Sequence, residues 1–212
     1  MGQISSDGLV SSDGLAEQAI SRRPGAIVLA RHGEPALSRK VKLSAAEYRD
    51  FWAQYEVLGI VPGQTPPEAL VKVVATAGTV VSSTRLRSIE SVALLDAGRA
   101  VVQHEMLIEA PLPPPRFPQW VRLSPKIWGF LARFWWWFFN HHEGQETRAL
   151  AETRAERAAD LLVGHAEAGE DVVVLAHGFF NFMIGRALKK RGWNQVSTEG
   201  YKYWSTRRFE RA

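Results

Sequence analysis

The sequence predicts an α/β protein, a three-layer α/β/α sandwich on a mostly parallel sheet, interrupted by one Pro- and Trp-rich insertion. Two observations predict it. Short apolar runs at 26–30, 79–83 and 171–176 have the length and Val/Ile content of buried strands. Stretches with helical spacing alternate with them from 26 to 190. That alternation builds a parallel sheet with helices on both faces. The 212 residues suit one sizeable core, or one core plus a small cap.

Residues 1–25 hold a direct repeat, Ser5-Ser6-Asp7-Gly8-Leu9 and Ser11-Ser12-Asp13-Gly14-Leu15. It has little to bury and reads as a flexible lead-in, with room for a short helix near 14–21. Ala26 to Ala30 reads as the first strand, and Arg31-His32-Gly33 follows without a spacer. A strand that is apolar to its last residue and then shows Arg and His ends where charge is wanted, as at the C-terminal edge of an α/β sheet. Gly33 is expected to let the chain turn sharply and a ligand approach.

After a polar loop over 35–42, Ser44 is expected to cap a helix running to Gly59, with Glu47 completing a capping box. Tyr48, Phe51, Trp52 and Tyr55 give that helix an aromatic face. Pro66 and Pro67 suit the first turn of a helix over 66–76. Thr79–Ser83 is the second strand, and a helix follows over Thr84–Ala97 with Arg85 and Arg87 in its first turn. Basic residues there oppose the helix dipole and point to a nearby anion.

Ala100–Gln103 reads as a third strand. Five prolines between 111 and 118 exclude helix and central strand, which leaves a rigid crossing segment. Ser124 is placed to cap a helix over Pro125–Phe139. Five of the eight tryptophans lie at 120–137, and Trp135–Phe139 points aromatic groups all round that helix. One core cannot bury them all. A cap over a site, a dimer contact or a peripheral membrane contact through 120–139 would each accommodate them. His141 and His142 read as surface residues. An Ala-rich helix follows over Glu146–Ala168, then the clearest strand, Asp171–Ala176, ended by His177-Gly178. A helix over Phe179–Lys190 and an edge strand at Tyr201–Trp204 complete the expected elements.

Composition narrows the chemistry. With no cysteine, disulfides, thiol catalysis and Cys-based metal sites are excluded. No apolar leader and no membrane-length run is evident, so a reducing, cytoplasmic setting is expected. Net charge is +4. The C-terminal stretch 186–212 holds eight Lys/Arg against Glu199 and Glu210, and reads as a solvated basic surface rather than a nucleic-acid site.

Three strands thus end in polar signatures: Arg31-His32-Gly33, Ser82-Ser83-Thr84-Arg85-Leu86-Arg87, and His177-Gly178. In a parallel sheet these ends meet at one edge. Two imidazoles and two or three guanidiniums make a pocket for a dianion, since an arginine fork matches phosphate oxygens in pairs. A neutral histidine there could attack phosphorus while the arginines neutralise transition-state charge. No metal or other cofactor is called for.

Arg31-His32-Gly33-Glu34, the Ser82-Ser83-x-x-x-Arg87-Ser88-x-x-Ser91 segment and Ala176-His177-Gly178 together resemble the histidine phosphatase superfamily, also called phosphoglycerate mutase-like. The resemblance covers about 26–190. It implies one phosphatase-like α/β domain over 26–212, with 111–143 as an aromatic cap. It makes His32 the nucleophile, with Arg31, Arg87 and His177 binding the phosphoryl group and Arg85 less firmly placed. It implies an acid after the third strand, at Glu109 or, in reserve, Glu105. Where many members carry a phosphate-touching Asn this chain has Ser38, beside Arg39 and Lys40. The Gly-x-Trp-Glu-Gly that usually follows the acid is replaced by Ala110-Pro111-Leu112-Pro113-Pro114-Pro115.

The implied activity is metal-independent hydrolysis of a small phosphomonoester through phosphohistidine. Two alternatives stay open: a phosphate-pocket binding or scaffold protein with little turnover, and a mutase-type phosphotransferase. The cap departs from the family, so the substrate is not inherited.

Overall fold

A computed structural model describes residues 23–211 apart from 96, 97 and 99. The repeat and most of the expected lead-in lie outside the described residues. Six strands form one sheet: β1 (Ile27–Arg31), β2 (Thr79–Ser83), β3 (Val102–His104), β4 (Val172–Ala176), β5 (Trp193–Thr198) and β6 (Thr206–Arg211). Their order is β3-β2-β4-β1-β6-β5. β3, β2, β4 and β1 pair in parallel, while β6 runs antiparallel to both β1 and β5.

The strand period of two decides how the layers are filled. Ile27 and Leu29 of β1, with Val172, Val174 and Ala176 of β4, face one apolar cluster. The helices α5 (Arg148–Glu167) and α6 (Gly178–Lys190) complete it through Ala155, Leu162, Phe180 and Ile184. Val28, Ala30, Val173 and Leu175 face the other side. There α2 (Glu68–Thr76) and α3 (Leu86–Leu95) supply Leu70, Val74, Val92 and Leu95. The expected α/β architecture, with helices on both faces of a mostly parallel sheet, is what the chain adopts.

Two further helices, α1 (Ala45–Val57) and α4 (Pro125–Phe139), pack on each other. Tyr48, Phe51 and Tyr55 meet Trp128 in a third cluster, and a bridge joins Leu43 to Leu123. Ser44 and Glu47 form the expected capping box on α1, and Ser124 caps α4 through the Ile127 amide. Proline-rich 111–118 carries no regular structure, yet Leu112, Pro113, Pro114 and Pro115 are buried.

Several expectations need correction. Tyr201–Trp204 is a turn between β5 and β6, not a strand. Trp204 there adopts φ 64°, and its amide donates to the Arg31 carbonyl oxygen. The alternating aromatics that suggest an edge strand instead serve this turn, which folds back over the end of β1. Pro66 and Pro67 precede α2 rather than occupy its first turn, with Pro67 at the N-cap. β3 begins two residues later than expected, and α3 begins beyond Arg85. His141 and His142 are half-buried rather than surface residues, and His141 Nε2 lies 3.2 Å from the Pro114 carbonyl oxygen. Within the C-terminal basic stretch, Lys190 and Arg191 pair with Glu156, Arg191 also with Asp160, Arg208 with Glu210, and Arg211 with Glu167.

Candidate active site

β2, β4 and β1 are adjacent, so their C-terminal ends share one edge. Arg31 stands opposite Ala176 in the parallel register, which brings the next residues, His32 and His177, side by side. Their ring centroids are 5.2 Å apart at an interplanar angle of 63°. Each is only 1% exposed.

His32 Nδ1 lies 2.7 Å from the Gly33 carbonyl oxygen. A carbonyl only accepts, which assigns the proton to Nδ1 and leaves the lone pair on Nε2. Burial holds this imidazole well below its ordinary pKa. The Arg87, Arg31 and Arg39 charges act in the same direction, and the Gly33 bond opposes them. His32 is therefore neutral at pH 7, with an unprotonated nitrogen. His177 is lowered likewise, by burial first and then by Arg87, His32, Arg85 and Arg31. Its Nε2 lies 2.9 Å from Ser83 Oγ.

Arg87 is wholly buried. Its Nη1 donates to the carbonyl oxygens of Tyr55 (2.8 Å) and Glu56 (3.3 Å), and its Nη2 to Glu56 Oε1 (2.8 Å). Arg85 takes the other oxygen of Glu56 at 2.9 Å. Arg31 Nη1 donates to the Tyr201 carbonyl oxygen (2.5 Å), with its guanidinium 4.3 Å from the centre of the Tyr203 ring. Arg39 lies near the Tyr55 and Tyr203 rings, at 5.4 and 5.8 Å.

One class of atom stands out. The Nε atoms of Arg31, Arg39, Arg85 and Arg87 and Nδ1 of His177 are buried without a hydrogen-bond partner. A buried donor left unpaired costs about 1–3 kcal/mol. Such donors gathered about two neutral histidines suit an anion with several acceptor oxygens.

Glu109 reaches the same edge from the chain after β3. Its Oε1 accepts from the Phe180 amide (2.8 Å) and the Ala110 amide (3.2 Å), and its Oε2 from the Phe179 amide (3.3 Å). It thus supplies the side-chain cap that His177, the N-cap of α6, does not. Glu109 lines a cavity of about 330 Å³ with Arg31, Arg39, Trp52, Lys126, Arg133 and Gly178. Glu105 is exposed in a short 3₁₀ turn, Glu105–Leu107, and is absent from that lining. It borders a second cavity of about 630 Å³ with Glu56 and Arg85, which Glu109 also lines.

Of the residues singled out from the sequence, the structure brings together Arg31, His32, Arg87 and His177, with Arg85 joined through Glu56 and Glu109 at the adjoining helix end. It does not bring Ser38 in: that side chain is exposed, and its Oγ accepts from the Lys40 amide (3.3 Å). Arg39, its neighbour, faces the site instead. Gly33 also differs from expectation. Its amide donates to Ser91 Oγ (2.8 Å), and a Cβ there would come within 2.5 Å of the Trp204 ring. Close packing of Trp204, not a positive φ, makes that position need glycine. Sequence reading missed Glu56, Tyr55, Ser83 and Tyr203. Ser83 lay inside a quoted motif and Tyr55 on an aromatic helix face, but nothing local tied Glu56, Tyr55 or Tyr203 to the site. Among the described residues, no group of three or more metal-ligating side chains gathers.

No protein-family model matches the chain, and no curated protein matches it. Solved structures do share its fold. A structure of mycobacterial glucosyl-3-phosphoglycerate phosphatase in complex with VO3 is 19% identical, with TM-score 0.57 over 87% of this chain and 92% of the other. A protein described as mycobacterial hydrolase 1 is 18% identical, with TM-score 0.58 over 88% and 89%. A phosphoserine phosphatase mutant from Entamoeba histolytica, in complex with phosphoserine, is 14% identical, with TM-score 0.53 over 78% and 80%. The expected histidine phosphatase-like fold is therefore the fold the chain has.

Proposed function

We propose that this protein is a phosphomonoesterase of the histidine phosphatase type, working through phosphohistidine on His32. The observation that carries this reading is the set of buried, unpartnered arginine Nε donors, with the unpartnered Nδ1 of His177, about a neutral His32. In the first step His32 Nε2 attacks phosphorus. The bond to the ester oxygen breaks, and Glu109 gives that oxygen a proton. Arg31, Arg87, Arg39 and His177 hold the phosphoryl oxygens as charge spreads over them. In the second step Glu109 takes a proton from water as its oxygen attacks phosphohistidine, releasing phosphate and restoring His32. Glu109 is preferred to Glu105 because it shares a cavity with Arg31. The vanadate-type and phosphoserine complexes of structures with this fold are consistent with such a pocket.

The test is hydrolysis of p-nitrophenyl phosphate in EDTA. Wild type turns over. His32→Ala loses activity to background, and His177→Ala loses most of it. Turnover that survives His32→Ala rejects the mechanism.

One observation favours a second reading, a phosphate-binding protein with little turnover. His32 is covered: the Tyr203 ring centroid is 5.9 Å from that of His32, and Tyr201 holds Arg31. On that reading orthophosphate raises thermal stability while no ester is hydrolysed faster than by Glu109→Ala.

A further inference from the structure

Helix α4 carries two apolar stripes. Pro125, Trp128, Gly129, Ala132 and Trp136 form the buried one. At 100° per residue, Ile127, Phe130, Phe134 and Phe138 fall on the opposite side of the helix. They are 47%, 66%, 39% and 66% exposed. The outward face of a surface helix ordinarily carries charge, and a row of large apolar groups there marks a surface that something covers. Trp120, just ahead of the helix, is 81% exposed.

Charge decides between occupants. Between Glu109 and Glu143 the chain has no Asp or Glu, but it has Arg116, Arg122, Lys126 and Arg133. Two acids that approach this segment are already engaged, Glu47 by Arg122 and Glu143 by Arg49. A second copy meeting the first through the same face would set this cationic segment against itself. An anionic lipid surface takes both the apolar stripe and the cations around it. Among the described residues no helix is long and apolar enough to cross a membrane, so the geometry suits a helix lying on the surface.

We propose that α4 docks this protein on an anionic lipid surface, with Ile127, Phe130, Phe134 and Phe138 at the acyl boundary and Arg116 and Lys126 among the headgroups. Lys126 also lines the cavity that holds Arg31 and Glu109, so docking sets that cavity beside the headgroup layer. The inference stands whether or not the site turns over.

The experiment is flotation of the full chain with vesicles of phosphatidylglycerol and phosphatidylcholine in equal parts, against phosphatidylcholine alone, at low and high salt. Wild type floats with the anionic vesicles, and salt weakens it. Phe134→Ser/Phe138→Ser reduces the bound fraction about tenfold or more. Lys126→Glu/Arg116→Glu reduces it too without touching the apolar stripe, and serves if the first variant fails to fold. The inference is overturned by any of three results. The first is wild type that does not float at low salt. The second is folded variants that float as wild type does. The third is sedimentation of a dimer that Phe134→Ser/Phe138→Ser splits, with no vesicle binding by either form.

Discussion

His177 meets His32 edge to face, with ring centroids 5.2 Å apart and both imidazoles buried. Two titratable rings in one dry, arginine-lined place cannot both take protons cheaply. Desolvation heads the causes that lower each pKa, and Arg87 comes second for both. In the unfolded chain a histidine titrates near its ordinary 6.5. Between the lowered folded value and that pH the unfolded state binds more protons, so stability rises with pH. Above about 6.5 both states are neutral and the contribution is constant. Without phosphate, stability is therefore level above neutrality and falls in acid by about 1.4 kcal/mol per pH unit for each histidine, and melting temperature falls with it. His32→Asn flattens that slope. Equal slopes in the two proteins, followed by thermal melts across pH, would contradict the account.

Glu109 is asked to do two things, cap α6 and move protons, and the two separate by substitution. Glu109→Ala leaves the Phe179 and Phe180 amides without acceptors and costs about 1–2 kcal/mol in urea unfolding. Glu109→Gln keeps an amide oxygen for capping and recovers most of that stability. Its kcat still falls about a hundredfold or more, because an amide does not shuttle protons. If kcat follows stability across the two variants, Glu109 is a cap alone.

Ser38 and Arg39 divide a role that the sequence places on Ser38. Ser38 is exposed and turned to its own loop, whereas Arg39 lies near the Tyr55 and Tyr203 rings and bears on His32. Ser38→Ala leaves KM for p-nitrophenyl phosphate within about twofold of wild type. Arg39→Ala raises it about tenfold or more, as expected for loss of a charge-assisted bond. Steady-state kinetics with the reverse ranking would restore Ser38.

The aromatic run divides just as sharply. Trp136 is fully buried and its Nε1 donates to the Glu146 carbonyl oxygen (3.0 Å), while Phe138, two residues on, is 66% exposed. Trp136→Ala costs about 3–5 kcal/mol. Phe138→Ala changes stability by no more than about 0.5 kcal/mol. Denaturant midpoints for the pair measure the difference directly.

By itself the sequence determined the alternation of strands and helices, the capping box on α1 and the three polar strand ends. These are local properties: apolar period, a Ser three residues before a Glu, polar or charged residues following directly on an apolar run. Given a parallel sheet, they also implied that Arg31, His32, Arg87 and His177 converge. What only the tertiary structure decided involves partners far apart in the chain. Tyr201 lies 170 residues from the Arg31 it holds. Glu56 draws in Arg87 of α3 and Arg85 just ahead of it, and Arg39 rather than Ser38 turns inward. That α4 leaves aromatics outside the core was legible, but which of its stripes faces outward was not, because a helical period shows which residues share a face but not which face meets the core. That choice is made by packing against α1, where Trp128 meets Tyr48, and it has no local signature.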